Sequence, residues 1–223
     1  MNQEVWSAVD QYVTQLLIPG DRTLEAALRA SSEAGLPSIQ VSPPQGKLLH
    51  LLARSMHARY ILEIGTLGGY STIWMARALP AGGVLLTLET DAKHAEVARG
   101  NIARAGLAGV VEQRLGPALA TLPKIAAENR EPFDLIFIDA NKSTMAEYFD
   151  WALKLSRPGT MIIADNVVRD GRVIDAASQD ADVQGVRRFN ERMAAERRVS
   201  ATEIQTVGSK GYDGFALALV LAD

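Results

Sequence analysis

The chain has 223 residues, 48% of them hydrophobic and 22% charged, which is enough to bury a full core and suits one large α/β domain better than two small ones. A net charge of -3 gives no reason to expect nucleic acid as a partner, and the absence of cysteine excludes disulfides and thiolate metal sites and fits a reducing cytoplasm. The opening Met-Asn-Gln-Glu lacks the basic and apolar regions of an export signal, and no apolar run approaches the ~18 residues of a membrane span, so neither export nor membrane insertion is expected.

Val5, Val9, Tyr12, Val13 and Leu16 recur at helical spacing and predict an amphipathic helix over residues 3–17. Its apolar face either covers the core, the simpler expectation, or packs on a second subunit. A second helix is expected over 22–34, ending at Gly35. Ser42-Pro-Pro-Gln45 reads as a capping box with proline at the first helical position and opens a third helix over 43–57. Residues 1–57 would then form a helical cap that roofs a site in the core, residues 58–223 of the same single domain.

From Tyr60 onward strands and helices alternate, the pattern of a mostly parallel sheet with helices on both faces. Strands are expected near 60–65, 83–89, 109–114, 133–139 and 159–165, and helices near 69–79, 91–105, 117–129, 143–156 and 180–196. Two further strands, 199–207 and 214–222, are joined by a glycine-rich segment too short for a crossover helix, so the last strand must return antiparallel. The expected fold is an α/β, Rossmann-like doubly wound sheet of about seven strands, in which ligands sit beyond the carboxyl ends of the strands.

The first strand runs into Glu63-Ile-Gly65-Thr-Leu-Gly68-Gly69-Tyr-Ser71. These glycines do not have the G-x-G-x-x-G spacing of a pyrophosphate loop, no Gly-Lys-Ser/Thr follows, and a carboxylate just before the turn repels phosphate and attracts a cation. S-adenosylmethionine, with a sulfonium and an ammonium and no phosphate, suits such a turn. The plain alternative is a solvent-facing acid and an ordinary tight turn. A nicotinamide dehydrogenase of the short-chain type also lacks its Tyr-x-x-x-Lys here, since Tyr60, Tyr70 and Tyr148 are followed four residues on by Ile64, Trp74 and Ala152. A fold that binds adenosylmethionine without turnover stays open.

Glu89, at the end of the second strand, is placed to hydrogen-bond a ribose diol, a feature shared by all adenosine-binding folds of this kind. Gly116-Pro-Ala118 makes a close turn where an adenine edge could lie, or simply starts a helix. Neighbouring parallel strands end at Asp139 and at Asp165-Asn166, and two carboxylates with an amide carbonyl form a hard oxygen set suited to Mg²⁺, or less selectively Mn²⁺ or Ca²⁺. The competing reading makes Asp139 a helix cap and Asp165-Asn166 turn residues. Lys142 follows at the start of a helix, and beside a divalent cation its ammonium is disfavoured, which suits a base; otherwise it is a solvated surface lysine.

Together, Glu63 to Ser71, Glu89, Gly116-Pro-Ala118, Ile138-Asp-Ala-Asn-Lys142 and Ala164-Asp-Asn166 resemble the cation-dependent small-molecule O-methyltransferases, the catechol and caffeoyl-CoA group, in particular their bacterial members. The resemblance runs from about residue 37 to the C-terminus. It implies that Glu63, Gly65, Thr66 and Ser71 surround the methionine part of adenosylmethionine, with Ser71 on its carboxylate. Glu89 would take the ribose hydroxyls, Ala118 would lie by the adenine, and Val41 would close over the cofactor. Asp139, Asp165 and Asn166 match the metal ligands, and Lys142 matches the base, assisted by Asp139. Asp139 and the position of Asn141 also belong to the family's cofactor contacts. Many relatives have Asp-Ala-Asp-Lys where this chain has Asn141, so any charge contributed there is missing. The implied reaction is methylation of a vicinal diphenol, and relatives suggest a homodimer.

Overall fold

The computed structural model describes residues 2–222. Three helices come first: α1 (Gln3–Leu17), α2 (Arg22–Glu33) and α3 (Pro43–Ser55). Their starts are set by side-chain caps, with Asn2, Asp21 and Ser42 accepting hydrogen bonds from first-turn backbone N–H groups. The alternating part runs β1 (Tyr60–Ile64), α4 (Tyr70–Ala76), β2 (Val84–Glu89), α5 (Ala92–Arg104), β3 (Val111–Leu115), α6 (Ala118–Ala127), β4 (Phe133–Ile138), α7 (Met145–Lys154), β5 (Ser156–Asp165), α8 (Ala181–Ala195), β6 (Val199–Gly208) and β7 (Gly211–Val220).

The seven strands form one sheet in the order β3-β2-β1-β4-β5-β7-β6. The pairs among β1 to β5 are parallel, and β7 runs antiparallel between β5 and β6. This is the expected doubly wound sheet with a reversed last strand. The central strands are buried on both faces. Leu62, Ile64, Ile136 and Ile138 pack towards α6, α7 and α8, while Ile61, Leu135 and Phe137 pack towards α2 to α5. Strand alternation places Glu63 on the same face as Ile61, so an acid enters the apolar layer beneath α4. No helix among the described residues is long and apolar enough to cross a membrane.

Three expectations are corrected. The helix expected over 143–156 starts only at Met145, after a 3₁₀ turn, Lys142–Thr144, whose entry is capped by the Asn141 side chain on Ser143 N–H. The carboxamide captures the backbone locally and tightens the first turn. Second, α1 has no buried residue, and Val5, Val9, Tyr12 and Leu16 face outward, so its apolar stripe does not cover this chain's core. It is held by its polar side instead. Gln3 Nε2 donates to the Gly208 carbonyl (2.8 Å), and Ser209 N–H donates to Asp10 (2.7 Å), which ties α1 to the β6–β7 turn. Third, the roof over the strand tips comes from α2 and the segment Ile39–Val41, without α1.

Helix α8 crosses the 3₁₀ turn at Gly185, where a Cβ would lie 2.2 Å from the Lys142 carbonyl oxygen and 2.5 Å from Ser143 Cα. Both neighbours are backbone and cannot swing away. Gly185→Ala is therefore expected to cost about 3 kcal/mol, the upper range for overpacking, and to displace the turn that carries Lys142. Denaturant melts check this, and an unchanged midpoint would contradict the close crossing.

Candidate active site

A cleft of about 740 Å³ opens over the tips of β1, β2, β4 and β5. It lies where the chain leaves β1 in opposite directions for β2 and β4, the position at which doubly wound sheets hold ligands. Gly65 makes this crevice possible. Its φ is 105°, and an added Cβ would stand 2.0 Å from the Asp139 carbonyl oxygen. The ends of β1 and β4 thus meet backbone to backbone, with Asp139 N–H donating to the Ile64 carbonyl (2.9 Å).

At one end of the cleft, Glu89 is buried and accepts three backbone N–H groups: from Leu67 on Oε2 (2.8 Å), and from Thr90 and Asp91 on Oε1 (both 2.9 Å). The carboxylate is locked in place with lone pairs left for a diol. Leu67 reaches it from a left-handed conformation (φ 50°), a strained backbone held at the ligand-facing turn. Gly116 and Ala118 line the same end, and Thr66, Ser71 and Val41 line the wall and roof.

Glu63 lies behind this wall and does not line it. It is fully buried, and its carboxylate accepts hydrogen bonds from Ser71 Oγ (2.6 Å), Thr87 Oγ1 (2.7 Å) and Thr72 Oγ1. Thr66 Oγ1 is 2.6 Å from Thr87 Oγ1, so Glu63 reaches the cleft through the hydroxyls of Ser71 and Thr66. Burial pushes its carboxyl up to about 7, against the pull of those three hydroxyls, and the nearby Asp139 charge pushes the same way.

At the other end Asp139, Asn141, Lys142 and Asn166 line the cleft. Lys142 Nζ is 2.9 Å from Asp139 Oδ1 with most of the ammonium buried. Asp165 is buried next to them and does not itself line the cleft. Desolvation and then repulsion from Asp139 push its carboxyl up to about 7, opposed by Lys142, by a hydrogen bond from Gln45 and by the Asn166 backbone N–H. Asn166 sits at φ 60°, a left-handed conformation asparagine tolerates well, and Asp165 Oδ1 accepts its N–H (2.9 Å). Two carboxylates forced together out of water favour a cation between them. No group of three or more His, Cys, Asp or Glu that could hold a metal occurs among the described residues, so a cation here would take Asp139, Asp165, the Asn166 carbonyl and oxygens from water or substrate. Asn141 faces the cleft with its Oδ1 already engaged by the Ser143 N–H (3.0 Å) and Oγ (2.8 Å).

Two supporting residues escape a reading of the sequence. Gln45, whose backbone N–H meets the Ser42 cap, also brings its side chain to Asp165. Asn101, on the buried face of α5, donates to the Gly68 carbonyl (2.9 Å) and the Ala27 carbonyl (3.3 Å) and so braces the glycine turn against α2. A polar residue between Ala98 and Ile102 on an apolar stripe was the available signal. In the β6–β7 turn, Ser209 N–H donates to Asp10 of α1 (2.7 Å) and Lys210 Nζ donates to the Ser38 carbonyl (2.9 Å) ahead of α3.

A doubly wound sheet with a reversed last strand and an acid-tipped crevice defines the class I methyltransferase fold. The family model described as O-methyltransferase matches residues 20–220, and the chain belongs to that family. It is 56% identical over 220 residues to a catechol O-methyltransferase of Niastella koreensis, covering 99% of this chain and 100% of that protein. The crystal structure of an O-methyltransferase from Bacillus cereus in complex with SAH superposes with a TM-score of 0.97 at 61% identity, over 98% of this chain and 100% of that one. The O-methyltransferase TomG from Streptomyces achromogenes, solved in complex with SAM, gives 0.96 at 55% identity, with both chains fully covered.

The buried acid has a thermodynamic consequence. Glu63 titrates at about 7 when folded against 4.5 ordinarily, so the native state holds its proton longer than the unfolded chain. Stability from this group is complete below 4.5 and is lost as pH rises through 7. The ligand-free protein should lose stability between about pH 5 and 8, and Glu63→Gln should remove about 3 kcal/mol of that loss, leaving the part due to Asp165. Melting temperature followed against pH decides, and parallel curves for the two proteins would refute the buried acid.

Proposed function

We propose that this protein is an S-adenosylmethionine-dependent, divalent-cation-dependent O-methyltransferase whose acceptor is a small vicinal diphenol. The observation that carries the reading is that Asp139, Asn166 and the buried Lys142 share one cleft with Glu89 and the Gly65 turn. A methyl donor and a metal-held hydroxyl can therefore lie side by side. The names of the relatives, catechol O-methyltransferase among them, and the SAM and SAH in the similar structures support it.

Glu89, held by three backbone N–H groups, would take the ribose diol. Ser71 and Thr66 would present hydroxyls to the amino-acid part of the donor, with Glu63 behind them supplying the negative charge that a sulfonium and an ammonium call for. Val41 would close the roof and Ala118 would leave room for the adenine. If bound here, adenosylmethionine would supply the methyl on its sulfur and the cation would make the acceptor hydroxyl more acidic. Asp139, Asp165 and Asn166 would hold that cation. Asp139 also positions Lys142, whose Nζ would take the phenolic proton in its unprotonated form. A homodimer belongs to the same reading, and the outward stripe of Val5, Val9, Tyr12 and Leu16 on α1 supports it.

Labelled-methyl transfer to a panel of diphenols tests the whole. Chelation with EDTA should abolish turnover and Mg²⁺ should restore it, while turnover that persists in EDTA would remove the cation from the mechanism. Lys142→Ala should lower kcat by about 10²-fold or more, the usual contribution of a general base, with SAH affinity by calorimetry changed by less than about threefold. An unchanged kcat would remove Lys142 as the base. Asp165→Ala should lose turnover together with the response to added Mg²⁺.

A further inference from the structure

Beyond Asn166 the chain runs through a loop whose backbone is unusual. Arg169, Asp170 and Gly171 follow one another in left-handed conformations, with φ of 57°, 56° and 79°. Two of these residues carry a Cβ, so the conformation is strained and needs outside support. The support is on hand. Asp213 Oδ1 accepts the N–H groups of Val168 (2.9 Å) and Arg169 (3.0 Å), Arg172 Nη1 pairs with Asp180 (2.7 Å), and Arg187 Nη1 donates to the Val173 carbonyl (2.6 Å).

The loop places Arg169 in the wall of the cleft, at the end formed by Asn166 and Lys142 and away from Glu89. Its guanidinium is poorly paired. Nη2 stands 3.4 Å from Asp182 Oδ2, a long contact to a carboxylate that is 41% exposed, and Nε is shut off from water without a hydrogen-bond partner. Arginine keeps its charge at any relevant pH and offers five N–H donors in a rigid plane, and a buried donor left unpaired is unfavourable. Lys142, the nearby cation, is already committed to Asp139. A planar anion on the cleft side of the guanidinium would replace the long contact to Asp182, and a carboxylate is the acceptor that matches this fork.

We propose that Arg169 is a specificity-determining residue that selects acceptors carrying a carboxylate, on the ring or on a short side chain, as in dihydroxybenzoates and dihydroxycinnamates. The proposal rests on the diphenol reading above: the two hydroxyls go to the Asp139 end and the carboxylate to Arg169. Asp182 competes with the ligand for the guanidinium and sets how strongly the charge is felt.

The test compares 3,4-dihydroxybenzoate and 3,4-dihydroxycinnamate with uncharged 4-methylcatechol, using the full chain with adenosylmethionine and Mg²⁺. The wild type should favour at least one of the acids by roughly tenfold or more in kcat/KM, with the difference in KM. Arg169→Gln should erase that preference, Arg169→Lys should keep part of it, and Asp182→Asn should enlarge it. A preference absent from the wild type, or equal in the wild type and Arg169→Gln, overturns the proposal. A protein that methylates 4-methylcatechol without such a preference leaves the diphenol reading standing and this one refuted. If no diphenol is methylated, the diphenol reading fails, and calorimetric binding of 3,4-dihydroxybenzoate to the two proteins decides Arg169, equal affinity again overturning it. Should Arg169→Gln fail to fold by circular dichroism, Asp182→Asn carries the test, and a KM for the acids that does not fall overturns the proposal.

Discussion

The close approach of β1 and β4 at Gly65 and Asp139 is the constraint on which the rest of the site depends. With no Cβ at residue 65, the Asp139 carbonyl comes within the space a side chain would need, and the Asp139 N–H closes the gap with a hydrogen bond to Ile64. One strand tip then serves the Glu89 end of the cleft and its neighbour serves the acid cluster. Any side chain at residue 65 would push these tips apart and separate the two halves of the cleft. Asn101 and the left-handed Leu67 extend the same constraint, since they hold the glycine turn in the shape that delivers a backbone N–H to Glu89.

The site concentrates negative charge where water is scarce, and the two buried acids are stabilised differently. Glu63 is surrounded by hydroxyl donors from Ser71, Thr72 and Thr87, a neutral cradle that can serve either protonation state by rotating O–H groups. Asp165 has the Gln45 amide and a backbone N–H but also faces Asp139, so its ionised form calls for positive charge. Lys142 supplies some of it through Asp139. A cleft of this kind is electrostatically unfinished without cationic ligands, which suits a site that would bring a sulfonium and a divalent cation together.

Packing outside the cleft explains how the charged turn keeps its place. Helix α8 lies on the Lys142–Thr144 turn at Gly185, and the edge-to-face pair Phe149–Phe189 (5.5 Å) joins α8 to α7 on the same side. The turn is thus clamped between its own cap at Asn141 and a neighbouring helix. The outer wall of the cleft, from Asn166 to Asp182, is anchored from β7 through Asp213, which connects the reversed strand with the Asn166 end of the cleft.

The succession of helices and strands was legible because its causes are local. Buried strands read as apolar runs, helix starts are marked by Asp21, Ser42, Asp91 and Asp180, and a short glycine connection forces a hairpin at the end of the chain. The placement of Asp139, Lys142 and Asn166 around one cleft could also be anticipated, because neighbouring parallel strands end side by side. Other features depended on residues far apart in sequence. Glu63 lies behind the wall because α4 folds over it, α1 turns its apolar stripe outward because polar contacts with the β6–β7 turn hold its other side, and Gln45 at the start of α3 serves Asp165 at the end of β5. Hydrophobic period and capping residues act within a few positions and therefore determined the elements and the strand tips. Burial, charge pairing and the poor pairing of Arg169 arise only when distant segments exclude water together, so the tertiary structure alone decided them.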